Sequence, residues 1–224
     1  MTYINLKPLL TIKNLSIDFV SESGTTSALK NISFSVDRNE IFAIVGESGS
    51  GKSVTALSIL QLLSKTAAFK TGEILFSEDG KNETNLIRLP NKELQKIRGN
   101  KIAMIFQEPM TSLNPVFTCG DQVAESLQLH KKLSNAEAKE QSIEWFRKVK
   151  LPEPEKVFSK YPHQLSGGQK QRVVIAMAMC CKPSLLICDE PTSSLDVSIQ
   201  AQILNLLKEL KKEFNMCLKN SMHI

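Results

Sequence analysis

The sequence predicts an α/β fold organised around a phosphate loop, and three observations carry that expectation. Gly46-Glu47-Ser48-Gly49-Ser50-Gly51-Lys52-Ser53 follows the apolar run 41–45 and opens a helical stretch. A second apolar run, Leu185-Leu186-Ile187-Cys188, ends in the carboxylate pair Asp189-Glu190. Between the two, Leu165-Ser166-Gly167-Gly168-Gln169 stands at the start of another helical stretch.

The elements follow in order. Residues 9–45 read as strands, because Leu15, Ile17 and Phe19 alternate with polar residues and Ile32, Phe34 and Val36 do the same. Asp37-Arg38-Asn39-Glu40 is a turn, and Asn39 suits its left-handed position. The unbroken apolar character of 41–45 predicts a strand buried on both faces. A helix is expected over 52–63, a short strand over 72–76 and a polar loop over 77–90. Asn91 is expected to cap a helix that ends at Arg98, before a buried strand at 102–106.

Residues 108–164 change character and read as a helical insertion between two strands of the core. Ser134-Asn135-Ala136-Glu137 has the capping-box pattern, in which Ser134 and Glu137 satisfy each other's orphan backbone donors. Pro152 and Pro154 stop the helix that begins there. Another helix runs over 167–181 and ends before Pro183. Past Asp189-Glu190, Ile199, Ile203, Leu207, Leu210 and Phe214 recur at helical spacing, with Asp196 as the expected cap.

Composition excludes several classes. At 224 residues, 42% hydrophobic and 23% charged, the chain matches an ordinary globular domain. Its longest apolar run, 173–181, is nine residues, against the ~20 a membrane-spanning helix needs. The net charge of +5 comes without a dense Lys/Arg cluster interleaved with aromatics, so nucleic-acid binding has no support. Five cysteines without a C-x-x-C read as reduced, mostly buried thiols.

The chemistry sits in the motifs. Gly46, Gly49 and Gly51 allow the dihedrals that turn successive N–H groups inward onto phosphate oxygens. The N-terminus of the following helix adds partial positive charge. Lys52 reaches the β/γ-phosphates and the Ser53 hydroxyl holds Mg²⁺ in such a loop. Asp189 is suited to bind Mg²⁺ through water, and Glu190 to orient or deprotonate an attacking water. Ser166-Gly167-Gly168 reads both as a helix cap and as a second anion site.

With these motifs in this order, the chain resembles the ATP-binding cassette (ABC) ATPases from about Thr11 to Met216. The resemblance implies a P-loop NTPase core of ABC type, with an N-terminal antiparallel β part and a helical insertion subdomain at about 108–164. It implies ATP and Mg²⁺ as ligands, with 46–53 and Val54 around the phosphates. It makes Gln107 the glutamine that contacts Mg²⁺ and the attacking water. Ser166, Gly167, Gly168 and Gln169 become the signature that binds the nucleotide of a partner cassette, and Ser194-Leu195-Asp196 the loop crossing that interface. Phe19 stands where the family stacks an aromatic on adenine, and it equally fits the inward face of a strand.

Within the family the chain is similar to importer ATPases for oligopeptides and dipeptides. The similarity rests on Glu108-Pro109-Met110-Thr111-Ser112-Leu113-Asn114-Pro115, Tyr161-Pro162-His163-Gln164 and Leu195-Asp196-Val197-Ser198-Ile199-Gln200-Ala201-Gln202. It implies ATP hydrolysis driving peptide uptake, at the cytoplasmic face of the plasma membrane. The implied partners are a second cassette, transmembrane permease subunits and, indirectly, an external solute-binding protein. Asn100-Lys101-Ile102-Ala103-Met104-Ile105-Phe106 resembles the first half of tandem-cassette peptide importers.

The pattern breaks at the end. The family continues with an apolar strand ending in Thr-His-Asp, whose His contacts the γ-phosphate. Here Cys217-Leu218-Lys219-Asn220-Ser221-Met222-His223-Ile224 follows. His223 has the spacing of that switch histidine, and it also reads as a chance His in an aberrant tail, 217–224. Lys219, Asn220 and Ser221 fall where a central strand is expected to be apolar, and burying them without partners costs several kcal/mol. The expectation is therefore a truncated cassette, with a non-hydrolysing remnant as the alternative function.

Overall fold

The computed structural model describes residues 6–22, 24–107, 112–192, 195–214 and 217–222, the last segment beyond Cys217 by its backbone alone. Four strands form an antiparallel N-terminal sheet in the order β2-β1-β4-β5: β1 (Leu10–Ser21), β2 (Gly24–Val36), β4 (Ala67–Phe76) and β5 (Thr84–Asn85). The β1–β2 pairing runs from Leu10 opposite Val36 to Ser21 opposite Gly24, so the two strands are a long hairpin. The core sheet is parallel, in the order β3-β8-β7-β6: β3 (Ile41–Val45), β6 (Ile102–Ile105), β7 (Leu185–Asp189) and β8 (Cys217–Met222).

Alternation along the core strands explains why they sit in the middle. Leu186 and Cys188 of β7, with Ala103 and Ile105 of β6, face one apolar cluster. Leu185 and Ile187, with Ile102 and Met104, face another, shared with β1, β4 and helix α1 (Lys52–Ile59). The first cluster holds α3 (Cys119–Lys131), α4 (Asn135–Lys148), α6 (Gly167–Met179) and α7 (Val197–Phe214). Trp145 of α4 packs on Phe214 of α7 at 5.1 Å between ring centroids, and Lys150 pairs with Glu209 at 2.6 Å. Among the described residues no helix is long and apolar enough to cross a membrane.

The insertion is helical, as expected: α3, α4 and α5 (Pro154–Phe158) fill it. The Ser134–Glu137 capping box is present in both directions at the start of α4. Asn39 adopts φ 58°, the left-handed turn position.

Three local expectations are corrected. β3 is covered on one face only: Phe42 packs on the second cluster and stacks on Phe34 at 5.0 Å, while Ile41 and Val45 on the other face are 48% and 51% exposed. Asn91 does not cap α2 (Asn91–Ile97) but is its first residue. Pro90, with φ −68°, takes the cap position without a side-chain bond. Finally, α1 stops at Ile59 rather than Leu63, and Gln61 at φ 49° turns the chain away.

The segment read as an aberrant tail also differs in backbone terms. Cys217–Met222 runs as a parallel strand between β3 and β7, with Lys219 opposite Phe42 on one side and Ile187 on the other. Parallel pairing is made by main-chain N–H and C=O groups, which every non-proline residue carries, so polar side chains do not forbid it. Cys217 is fully buried, and its Sγ donates to the Glu40 carbonyl at 3.2 Å.

Candidate active site

The loop between β3 and α1 takes its shape from two glycines in the left-handed region. Gly49 has φ 78°, and Gly51, the N-cap of α1, has φ 88°. A side chain at Gly51 would also put its Cβ 2.6 Å from Leu29 of β2, so the loop needs glycine there for space as well as conformation. Lys52 is 5% exposed, and its Nζ donates to the carbonyls of Gly46 at 2.6 Å and Glu47 at 2.8 Å. The loop thereby curls around its own cation.

A cavity of about 330 Å³ opens over this loop. It is lined by Ser48, Gly49, Gly51, Lys52, Ser53 and Val54, by Thr26, Ser27 and Ala28 of β2, and by Gln107 and Glu190. Gln107, just past β6, donates from Nε2 to Glu190 Oε2 at 2.9 Å. Glu190, just past β7, is 8% exposed and holds φ 50°, a left-handed backbone that is uncommon away from glycine. The sequence motifs far apart in the chain thus meet at one cavity.

Asp189 closes β7 at 4% exposure, and its Oδ1 has no hydrogen-bond partner among the described residues. A buried carboxylate oxygen without a donor, one residue before the cavity-lining Glu190, fits a hard divalent cation such as Mg²⁺. Cys188, one residue earlier, is not a competing ligand. Burial and the neighbouring Asp189 charge push its thiol up to about 12.

The signature residues lie elsewhere on the chain. Ser166 caps α6 in a capping box: its Oγ accepts from Gln169 N at 3.4 Å, while Gln169 Oε1 accepts from Ser166 N at 3.1 Å. Gly168 is buried, and a Cβ there would meet Ile199 at 3.1 Å. None of Ser166, Gly167, Gly168 and Gln169 lines the phosphate-loop cavity. Asp196 is exposed, and its backbone carbonyl accepts from Ile199 and Gln200, each at 2.9 Å, at the start of α7. Phe19 is half-buried on β1 opposite Thr26, outside the cavity lining itself. Ser194, residues 108–111 and His223 lie outside the described residues.

Two contributors escaped the sequence reading. Thr26, Ser27 and Ala28 reach the cavity only because β2 folds back over the loop, and no local pattern announces that. Gln171 is wholly buried in α6, and its Nε2 donates to the Pro191 carbonyl at 2.7 Å, anchoring the turn behind Glu190. Its helical spacing from buried Gly168 and Ile175 was the available signal.

A parallel core sheet with a glycine-shaped phosphate loop after one strand and paired carboxylates after another defines a nucleotide-binding cassette with a P-loop core. The chain belongs to the ABC transporter family, whose model matches residues 29–193. It is 52% identical over 204 residues to the probable peptide ABC transporter ATP-binding protein y4tR of Sinorhizobium fredii, covering 91% of this chain and 59% of that protein. It is 47% identical over 214 residues to the glutathione import ATP-binding protein GsiA of Salmonella choleraesuis, covering 95% and 34%. The fold is similar to the dimeric ATP-binding cassette MJ0796 bound to ADP and Pi, with a TM-score of 0.82, 30% identity, and 96% and 88% covered. The chain thus spans 34% to 59% of the length of these two curated relatives.

Proposed function

We propose that this chain binds and hydrolyses ATP as the ATP-binding subunit of an importer, and that the transported solutes are peptides. The observation that carries the reading is the convergence of the phosphate loop, Gln107 and Glu190 on one cavity. The names of the similar proteins, one for peptide transport and one for glutathione import, support the solute class.

Lys52 exchanges the Gly46 and Glu47 carbonyls for β/γ-phosphate oxygens when nucleotide enters. Ser53, Asp189 and Gln107 would hold Mg²⁺, which supplies charge neutralisation on the phosphates. Glu190, whose Oε2 accepts from the Gln107 amide, takes a proton from the attacking water, and Gln107 helps to orient that water. Ser166, Gly167, Gly168 and Gln169 present the α6 N-terminus to the nucleotide of a second cassette, across an interface that includes Asp196. Permease subunits receive the resulting motion at the cytoplasmic face of the membrane, where the chain sits peripherally.

Two variants test the site. Lys52→Ala should lose Mg·ATP binding in calorimetry; unchanged affinity would remove the phosphate loop from the reading. Glu190→Gln should keep ATP binding and lower turnover by about 10²–10⁴. Equal turnover of that variant and the native chain would exclude Glu190 as the base.

A further inference from the structure

Outside the nucleotide cavity, a concentration of positive charge lies between α2 and the end of α3. A cavity of about 580 Å³ there is lined by Lys92, Gln95, Lys96, Arg98, Leu129 and His130. Residues some thirty positions apart make one basic surface, which the linear sequence does not display. Glu93 offsets part of it, pairing with Lys96 at 2.7 Å. Lys131, next to the cavity, spends its ammonium on a neutral acceptor, Asn100 Oδ1, at 3.0 Å, so its charge is not cancelled. Lys92 has neither a hydrogen bond nor an ion pair to any described residue. It stands in the first turn of α2, where a helix dipole disfavours a cation, so helix stability gives no account of it.

Two further features mark the surface as amphipathic. Arg98 is fixed by donating to the Leu60 carbonyl at 2.7 Å and the Gln61 carbonyl at 3.0 Å. It also walls a neighbouring apolar groove with Leu62 and Phe106, each 40% exposed. Leu129 projects at the rim of the basic cavity with 71% of its surface exposed. Burial and the Lys131 charge hold the His130 imidazole toward its neutral form, as expected in a field already positive.

We propose that this face, with Lys92, Lys96, Arg98 and Lys131 around Leu129, docks on a bilayer bearing anionic headgroups. Headgroup phosphates meet the cations, and Leu129 enters the interface. A free phosphate would call for buried, convergent donors, whereas Lys92 and Lys96 are exposed and spread along a helix. An extended anionic surface carrying an apolar layer matches both the spread of charge and the projecting leucine. None of these residues lines the nucleotide cavity, so the inference stands apart from the ATPase reading.

The test is co-sedimentation of the chain with vesicles of phosphatidylcholine alone and of an equimolar mixture with phosphatidylglycerol. Partition is expected only into the anionic vesicles, weakening as salt is raised. The double variant Lys92→Gln/Lys96→Gln should partition about 25-fold less, roughly 5-fold for each charge removed, with ATP binding unchanged. Lys131→Gln, on a different helix, should cost a further factor of about 5 and guards against a folding defect in α2. Equal partition into both vesicle types, or variants that bind as the native chain does, would overturn the proposal. So would displacement by millimolar inorganic phosphate at constant ionic strength, which would assign a pocket for a free anion instead.

Discussion

Gln171 touches no phosphate, yet it holds the main chain beside Glu190 through a single buried hydrogen bond to Pro191. Gln171→Leu keeps the volume and orphans the Pro191 carbonyl, at a cost of about 1–3 kcal/mol. That corresponds to about 2–4 °C of Tm per kcal/mol in a domain of this size. Turnover should fall with it while ATP affinity is kept, since Lys52 and the phosphate loop are untouched. A scanning-calorimetry Tm and a turnover rate both equal to the native values would contradict the anchoring role. At this scale the phosphate loop and Asp189-Glu190 were legible because each is contiguous. Gln171 and the Thr26–Ala28 wall were not, because their roles arise from elements meeting in space. The Gln107–Glu190 bond joins residues 83 positions apart, and only a resemblance could have paired them in advance.

Among elements, the N-terminal sheet carries a polar clasp between a buried carboxylate and an exposed lysine. Asp18 of β1 is 6% exposed and pairs with Lys70 of β4 at 2.6 Å. The Lys70 bond, aided by one from Ser27 of β2, holds the Asp18 carboxyl below its ordinary range against the opposing effect of burial. A depressed carboxyl contributes stability that is complete above the unfolded value, about pH 4, and is lost as pH falls through the folded one. The Tm difference between the native chain and Asp18→Asn should therefore be largest near neutrality and close up in acid. A difference independent of pH from neutrality down to strong acid would mean that the clasp is not electrostatic. Because Ser27 also lines the cavity, this clasp connects sheet stability to the wall of the site. Element types were readable from period and capping, as at Ser134. The exposure of one face of β3 was not, since an apolar run does not reveal which of its faces other elements cover.

The whole molecule brings the phosphate loop and carboxylates together but leaves the Ser166 cap facing outward, away from its own chain's cavity. On the proposed reading, a second cassette would complete a site split in this way. Ser166→Arg should spare ATP binding by the monomer and block ATP-driven dimerisation, through bulk at the α6 N-terminus. Light scattering that still shows a nucleotide-dependent dimer of the variant would remove the basis for the two-chain site.

The position of β8 has a consequence for how the chain assembles. Residues near 41 and near 185 do not pair with each other; both pair with the segment at 217–222. Until that segment arrives, the phosphate-loop strand and the carboxylate strand have no shared partner, and the gap is bridged only by non-local contacts, which form slowly. The β1–β2 hairpin, whose pairing runs up to Ser21 opposite Gly24, carries no such debt to distant sequence. Pulse-labelled hydrogen exchange should find β1 and β2 amides protected before those of β3 and β7, and simultaneous protection would argue against this order. The cavity over the phosphate loop is therefore expected among the last features to form, so that a chain able to hold nucleotide has already closed its sheet.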